Sequence, residues 1–146
     1  VSDDRYVMAI AKDNPLTRKA YSKPGFAHLF LDPALAAEQQ FILAHPQQRV
    51  RQISDRILRH AGIVPKIRLE TSSIQSALCF ASNDLGITFA PESYIPLFNA
   101  QKELAYFYLE DKYEAFWTFC VAYPQNVTPS TPARFFLQET QRLFGR

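Results

Sequence analysis

The stretch Leu69–Pro91, LETSSIQSALCFASNDLGITFAP, sets a strand end, a helix and a second strand in close succession. A strand-like lead closes on the carboxylate Glu70, and the hydroxyl residues Thr71, Ser72 and Ser73 follow before the chain turns helical. Ser72 three residues before Gln75 is a capping-box pattern. Ile74, Ala77, Leu78, Ala81 and Leu85 recur at helical spacing and predict a face toward a sheet. Cys79 and Phe80 make Ala77 to Ala81 apolar all round, which predicts a second covering surface. Gly86 closes the helix, and GITFAP reads as a buried strand.

Working outward, the same alternation repeats. RYVMAIAK (Arg5 to Lys12) is apolar on both alternating sets, the pattern of a strand covered on both faces. DNPL then ends it in a turn. Ala20 to Leu43 is irregular, with a turn at SKPG, a short helix near Pro33 to Gln40 and a buried strand QFIL. QRVRQISDRILRHAG is the clearest helix: Val50, Ile53, Ile57, Leu58 and Ala61 share one face, and Gly62 stands at the C-cap position. Arg51, Asp55, Arg56 and Arg59 read as its solvated side. VPKIRLE, LAYFYLED and EAFWTFCVAY read as strands. Pro132 to Phe144 reads as a last helix with Phe135, Phe136, Leu143 and Phe144 on its apolar side. The order β, β, α, β, α, β, β, β, α predicts an α/β fold with a largely parallel sheet and helices on both faces.

The 146 residues suit one compact unit with a real core, and 47% apolar against 21% charged residues is ordinary globular composition. A net charge of +2, with both signs mixed along the chain, offers no basic stripe for nucleic acid. VSDDRYVMAIAK does not read as a signal peptide, and the uncharged run Ala115 to Ala133 is too broken by prolines and polar residues to span a membrane. Cys79 and Cys120 lie in apolar runs and read as small core residues in a reducing cytoplasm.

Catalytic signatures are missing. The four glycines are dispersed, so there is no phosphate loop, and no HExxH, GxSxG or Cys/His metal spacing occurs. His28, His45 and His60 are scattered, and no cofactor or metal is expected. Binding is the better reading. A helix N-terminus attracts anions, and ligands in α/β sheets sit beyond the C-terminal ends of strands, where helices begin. Thr71, Ser72 and Ser73 occupy one such entrance. His45, Gln47, Gln48 and Arg49 occupy another, after QFIL. If the two strands are neighbours, both entrances face one cleft, and Arg49 can pair with an acidic group.

Taken in order, YVMAIAKDNPL, FIL, RILRHAGIVPKIRLETSSIQSALCFASNDLGITFAP and TPARFFLQETQRLF resemble the effector-binding domain of LysR-type transcriptional regulators. Asn14 replaces the usual His of the first turn, and NDLG stands where the family often has AGLG. The resemblance implies a periplasmic-binding-protein-like type 2 fold with two α/β subdomains and an effector between them. Residues 1–21 and 113–146 would belong to an incomplete first subdomain, and 22–112 to the second. The opening βαβα portion, the winged helix-turn-helix and its linker helix would lie outside this chain, so DNA is reached only through that absent domain. Ser72 would match a hydroxyl position used for effector contact, with Thr71 and Ser73 beside it and His45 to Arg49 as the second loop. Cys79 and Phe80 would face a partner in a homodimer or tetramer. The effector is expected to be a small anion, the setting cytoplasmic and the chain neither membrane-bound nor an enzyme. A solute-binding protein of a transport system with the same fold is the alternative. An exposed sheet edge, open to pairing with another chain, is also expected.

Overall fold

The structure, a computed structural model, describes residues 2–98 and 103–144. Its strands are β1 (Ser2–Ala11), β2 (Gln40–Ala44), β3 (Lys66–Thr71), β4 (Thr88–Pro91), β5 (Leu104–Phe107) and β6 (Phe116–Phe119). Its helices are α1 (Arg49–His60), α2 (Ile74–Ser82) and α3 (Thr131–Phe144). Short 3-10 turns, among them Pro15–Lys19 and Pro33–Ala36, fill the irregular segments.

β1 is the centre. Its second half, buried from Tyr6 to Ala11, lies between β4 and β5 and runs antiparallel to both. Its first half pairs antiparallel with β6. β2 and β3 pair in parallel. A short bridge joins the two groups: the Ile42 N–H donates to the Ile87 carbonyl at 2.9 Å, and the Ile87 N–H donates to that of Gln40 at 2.8 Å. By these pairings β3, β2, β4 and β5 share one direction and β1 opposes them. The expectation of a largely parallel sheet therefore needs correction at its middle, where each ladder of β1 is antiparallel. A continuous apolar run reports coverage on both faces but carries no sign of strand direction.

Helices do cover both faces. Phe41 and Leu43 of β2 pack with Ile53, Ile57 and Leu58 of α1, together with Tyr6, Met8 and Ile10. Ile42, one residue out of phase, packs on the other face with Ala77, Leu78 and Ala81 of α2 and with Ala9 and Ala90. The two-residue period of a strand sets this division. Each fully buried Ile or Leu of α1 contributes about 1.5–3 kcal/mol through burial.

α1 ends in a Schellman motif: Gly62 takes φ +71°, its N–H donates to the Arg59 carbonyl at 3.0 Å, and the Ile63 N–H donates to that of Leu58 at 2.9 Å. α2 ends the same way, but Asp84 (φ +56°) holds the left-handed position, with the Leu85 N–H donating to the Phe80 carbonyl at 3.1 Å. Gly86, expected to close this helix, is needed elsewhere. A Cβ there would stand 3.0 Å from the Gln40 carbonyl oxygen and 3.2 Å from Ile42 Cγ1. The bridge between β2 and β4 leaves no room for it.

Two further expectations fail. Cys79 and Cys120 are exposed, not core residues. Cys79 lies on the outer side of α2, and the neighbours of Cys120, Phe119 and Val121, are themselves exposed. β6 is also shorter than the apolar run suggested, covering only four residues. On α3 the predicted apolar side exists, yet Phe135, Phe136, Leu143 and Phe144 are all exposed.

Two outcomes follow from this geometry, both read by urea denaturation. Gly86→Ala should cost about 1–3 kcal/mol through overpacking against backbone, whereas Asp84→Gly should be neutral or stabilise by up to about 1 kcal/mol by relieving the left-handed position. Glu110 gives a pH test. Its carboxylate accepts from Lys23 Nζ (2.6 Å) and the Tyr21 hydroxyl (2.5 Å), and these bonds, that of Lys23 first, hold its pKa below the usual 4.5. A carboxyl with a depressed folded pKa stabilises above its unfolded value and loses that contribution as pH falls through the folded one. An NMR titration of Glu110 should therefore show a midpoint below 4.5.

Candidate functional site

β2 and β3 are neighbours, so the loops at their C-terminal ends stand side by side, with Ala44 opposite Thr71. α1 leaves β2 on one face and α2 leaves β3 on the other, which opens a crevice between the two helix entrances. Gln48 ties the loops together. Its Oε1 accepts from the His45 N–H at 3.1 Å, and its Nε2 donates to the Ser72 carbonyl at 3.1 Å. Arg51 adds a second tie. Only 12% exposed, it donates to Asp55 (2.8 Å), to Glu70 (2.6 Å) and to the Ala44 carbonyl (2.9 Å). It was expected on the solvated side of α1, but it binds the start of that helix to the ends of β2 and β3.

The three hydroxyls divide their labour differently from the capping-box expectation. Ser73, not Ser72, is the N-cap of α2 and accepts from the Ser76 N–H at 3.1 Å. Thr71 Oγ1 accepts from the Ser73 N–H at 3.2 Å and so shapes the turn. Ser72 is exposed, and its hydroxyl makes no hydrogen bond among the described residues. The extended backbone of Ser73 (φ −112°, ψ 118°) shifts the cap one residue along.

The entrance of α1 is less complete. Its N-cap, Gln48, makes no side-chain capping bond, and no acidic residue occurs in the first turn of α1 or of α2. Both helix entrances thus present partial positive charge that no carboxylate of their own first turns offsets. His45, Gln47 and Arg49 are exposed around them, Arg49 bonding only to Gln52 at 3.4 Å. A cavity of about 20 Å³ lies beneath, lined by Gln48, Ser54, Thr71, Ser72, Ser73 and Thr88 among others. That volume suits one water molecule. Anything larger must rest above it, against the loop tips.

One polar group at this end of the sheet escaped the sequence reading. Tyr6 opens the buried run of β1, is 1% exposed, and its hydroxyl has no hydrogen-bond partner among the described residues. Burial pushes its pKa well above the ordinary tyrosine range, and Asp4 and Tyr94 push the same way while Arg49 and Arg56 oppose them. The available signal was a tyrosine heading an otherwise aliphatic strand, which composition alone cannot separate from ordinary packing.

The family model for the LysR substrate binding domain matches residues 1–145. The chain belongs to that family. Among curated proteins, none matches it in sequence. Solved structures with the same fold include the regulatory domain of CcmR from Synechocystis PCC6803 in complex with 2-PG, at 16% identity and a TM-score of 0.77. The effector-binding domain of QuiR in complex with shikimate follows at 16% and 0.70, and HinK, a LysR family transcriptional regulator from Pseudomonas aeruginosa, at 14% and 0.71. The match takes in 98% of this chain in each case, and 64%, 62% and 46% of those chains respectively. The chain thus spans less than two thirds of the LysR-type structures it resembles. The fold is the periplasmic-binding-protein-like type 2 fold of LysR substrate-binding domains.

The cap assignment is testable. Ser73→Ala should cost about 1 kcal/mol and Ser72→Ala less than about 0.5 kcal/mol in urea denaturation. Equal costs would contradict the division of roles between the two serines.

Proposed function

We propose that the chain is the greater part of a ligand-sensing regulatory domain that binds a small anionic effector at the paired helix entrances. The observation that carries this reading is the free, exposed hydroxyl of Ser72 beside the uncapped N-terminus of α1. The donors there include Ser72, Thr71 and Ser73 on one loop and His45, Gln47, Gln48 and Arg49 on the other. The Gln48 bridge holds the loops in register before any ligand arrives, which lowers the ordering cost of binding. Family membership and neighbours such as CcmR with 2-PG and QuiR with shikimate support a regulator over a transport protein.

In this reading residues 22–112 form the second subdomain, and residues 1–21 and 113–146 are part of the first. The exposed apolar side of α3 supports that division. With Phe119 and Val121 it lines an open groove of about 610 Å³. An apolar groove of that kind needs cover in a folded domain, and the longer chains of the structural neighbours have the length to supply it. The regulator works in the cytoplasm as a homodimer or tetramer and touches DNA through a separate domain. Effector binding acts by differential affinity for two arrangements of the assembly, without chemistry. Phe80 packs partly on its own chain, beside Leu78 and Ala81, which leaves exposed Cys79 as the outward member of the proposed partner-facing pair.

A thermal-shift screen of small carboxylates, sulfur compounds and aromatic acids tests the site. An acid that stabilises the protein should bind Ser72→Ala about tenfold more weakly, given the loss of one hydrogen bond to a charged group. Unchanged binding in Ser72→Ala and in Gln48→Ala would overturn the assignment. Sedimentation tests the association surface: Cys79→Glu should shift the assembly toward monomer.

A further inference from the structure

The bridge between β2 and β4 stops where the candidate site begins. Ile87 turns both of its backbone groups to β2: its N–H donates to the Gln40 carbonyl at 2.8 Å, and its carbonyl accepts from the Ile42 N–H at 2.9 Å. The bridge is isolated, so the pairing goes no further and the two strands part. Successive residues of a strand turn their N–H and C=O to opposite edges, so Phe89, two residues on from Ile87, also turns its own toward β2. Phe89 is 2% exposed. No ladder bond reaches it from that side, and a backbone group closed off from solvent needs some other partner.

A polar side chain points to the same place. Thr88 is 3% exposed, and its hydroxyl makes no hydrogen bond among the described residues. The unpartnered side-chain atoms that are sealed off completely belong to Tyr6, Arg56 and Tyr106, and Thr88 Oγ1 is not one of them. On a residue so deeply buried, the open surface of that hydroxyl belongs to the cavity of about 20 Å³ that Thr88 and Phe89 both line. Ser54 and Thr71 line it too. The Ser54 hydroxyl donates to the Val50 carbonyl at 3.0 Å and keeps lone pairs with which to accept. Thr71 Oγ1 accepts from the Ser73 N–H at 3.2 Å and keeps its own O–H to donate.

We propose that this cavity is a binding site for one ordered water, held by the Thr88 hydroxyl and the Phe89 backbone, and that Thr88 acts through it as a positioning residue for the turn at Thr71 to Ser73. A water donates twice and accepts twice, and buried waters take two to four partners. The groups here match that demand: donors in the Phe89 N–H and the Thr71 O–H, an acceptor in Ser54 Oγ, and a Thr88 hydroxyl that serves either way. The water takes the place of the ladder bond that β2 does not supply. It joins β4 to α1 through Ser54 and to the entrance of α2 through Thr71. The inference stands whether or not an effector rests on the loop tips above.

A crystal structure of the 146-residue chain tests the occupancy, and amide hydrogen exchange tests the role. One ordered water is expected within about 3 Å of Thr88 Oγ1. Thr88→Val keeps the side-chain volume and the branched Cβ while removing the hydroxyl, and should lose that water. In the same variant the Ser73 amide, held by Thr71 Oγ1, should exchange about fivefold faster. Unchanged exchange at Ile57, in the middle of α1, would show that the fold is intact. Thr88→Ser should restore both the water and the wild-type rate, whereas Thr118→Val, which removes a hydroxyl bonded to Asp3, should alter neither. A wild-type cavity without water, a water retained in Thr88→Val, or equal Ser73 exchange in Thr88→Val and wild type would each overturn the proposal. Failure of the effector screen would leave it standing.

Discussion

The antiparallel ladders of β1 are the constraint on which the other elements depend. A single ten-residue strand serves two sets of partners, β6 at its first half and β4 with β5 at its second. Every side chain from Tyr6 to Ala11 must then be apolar or enclosed, because both faces are covered. The same strand fixes the segment around Ala115, since the Tyr6 N–H donates to the Ala115 carbonyl. The helices α1 and α2 find their places only because β4, in register on β1, carries the bridge to β2.

Much of this was legible in the residues, and the exceptions share a cause. Apolar periodicity placed α1, α2, α3 and the buried strands, because 3.6- and 2-residue periods are local properties. Family resemblance placed the fold, and the family match confirms it. Strand direction was not legible, since Tyr6–Ala11 reads the same whichever way its partners run. Nor was the fate of polar groups that look across the fold. Arg51 seemed one more surface charge until β2 and β3 brought Ala44 and Glu70 within reach. Gly86 looked like a helix stop because a helix ended near it, although the backbone of Gln40 is what excludes a side chain. Cys79 and Cys120 looked like core residues because their neighbours are apolar, yet an apolar neighbourhood predicts burial only when something covers it.

At the candidate site the sequence located the loops and misassigned the roles within one of them. Capping and ligand contact compete for the same hydroxyl. A serine that caps a helix has its hydroxyl oriented by the backbone N–H it accepts from, although its O–H can still donate, so the shift of the cap from Ser72 to Ser73 leaves the Ser72 hydroxyl unconstrained. Thr71 contributes by shaping the turn between them. One position separates a structural serine from an available one, and only backbone dihedrals decide which is which.

The two chain segments that meet at Tyr6 and Ala115 differ in how they are held. β1 crosses as a hydrogen-bonded strand, with partners along its length. The second segment crosses through Tyr113, Glu114 and Ala115, where Glu114 adopts the left-handed region at φ +49°. A non-glycine residue there carries strain on the order of 1 kcal/mol and persists only where its surroundings hold it. Tyr113, buried and donating its hydroxyl to Asp32, holds one side, and the Ala115 carbonyl bound to Tyr6 holds the other. A bend of the chain at this turn would therefore concentrate at Glu114, where strain can be released, and spare the ladders of β1. The side chain of that same residue faces Arg56 on α1. The strained turn at Glu114 and the Arg56 side of α1 are thus neighbours, so the helix that begins at the candidate site packs against this turn.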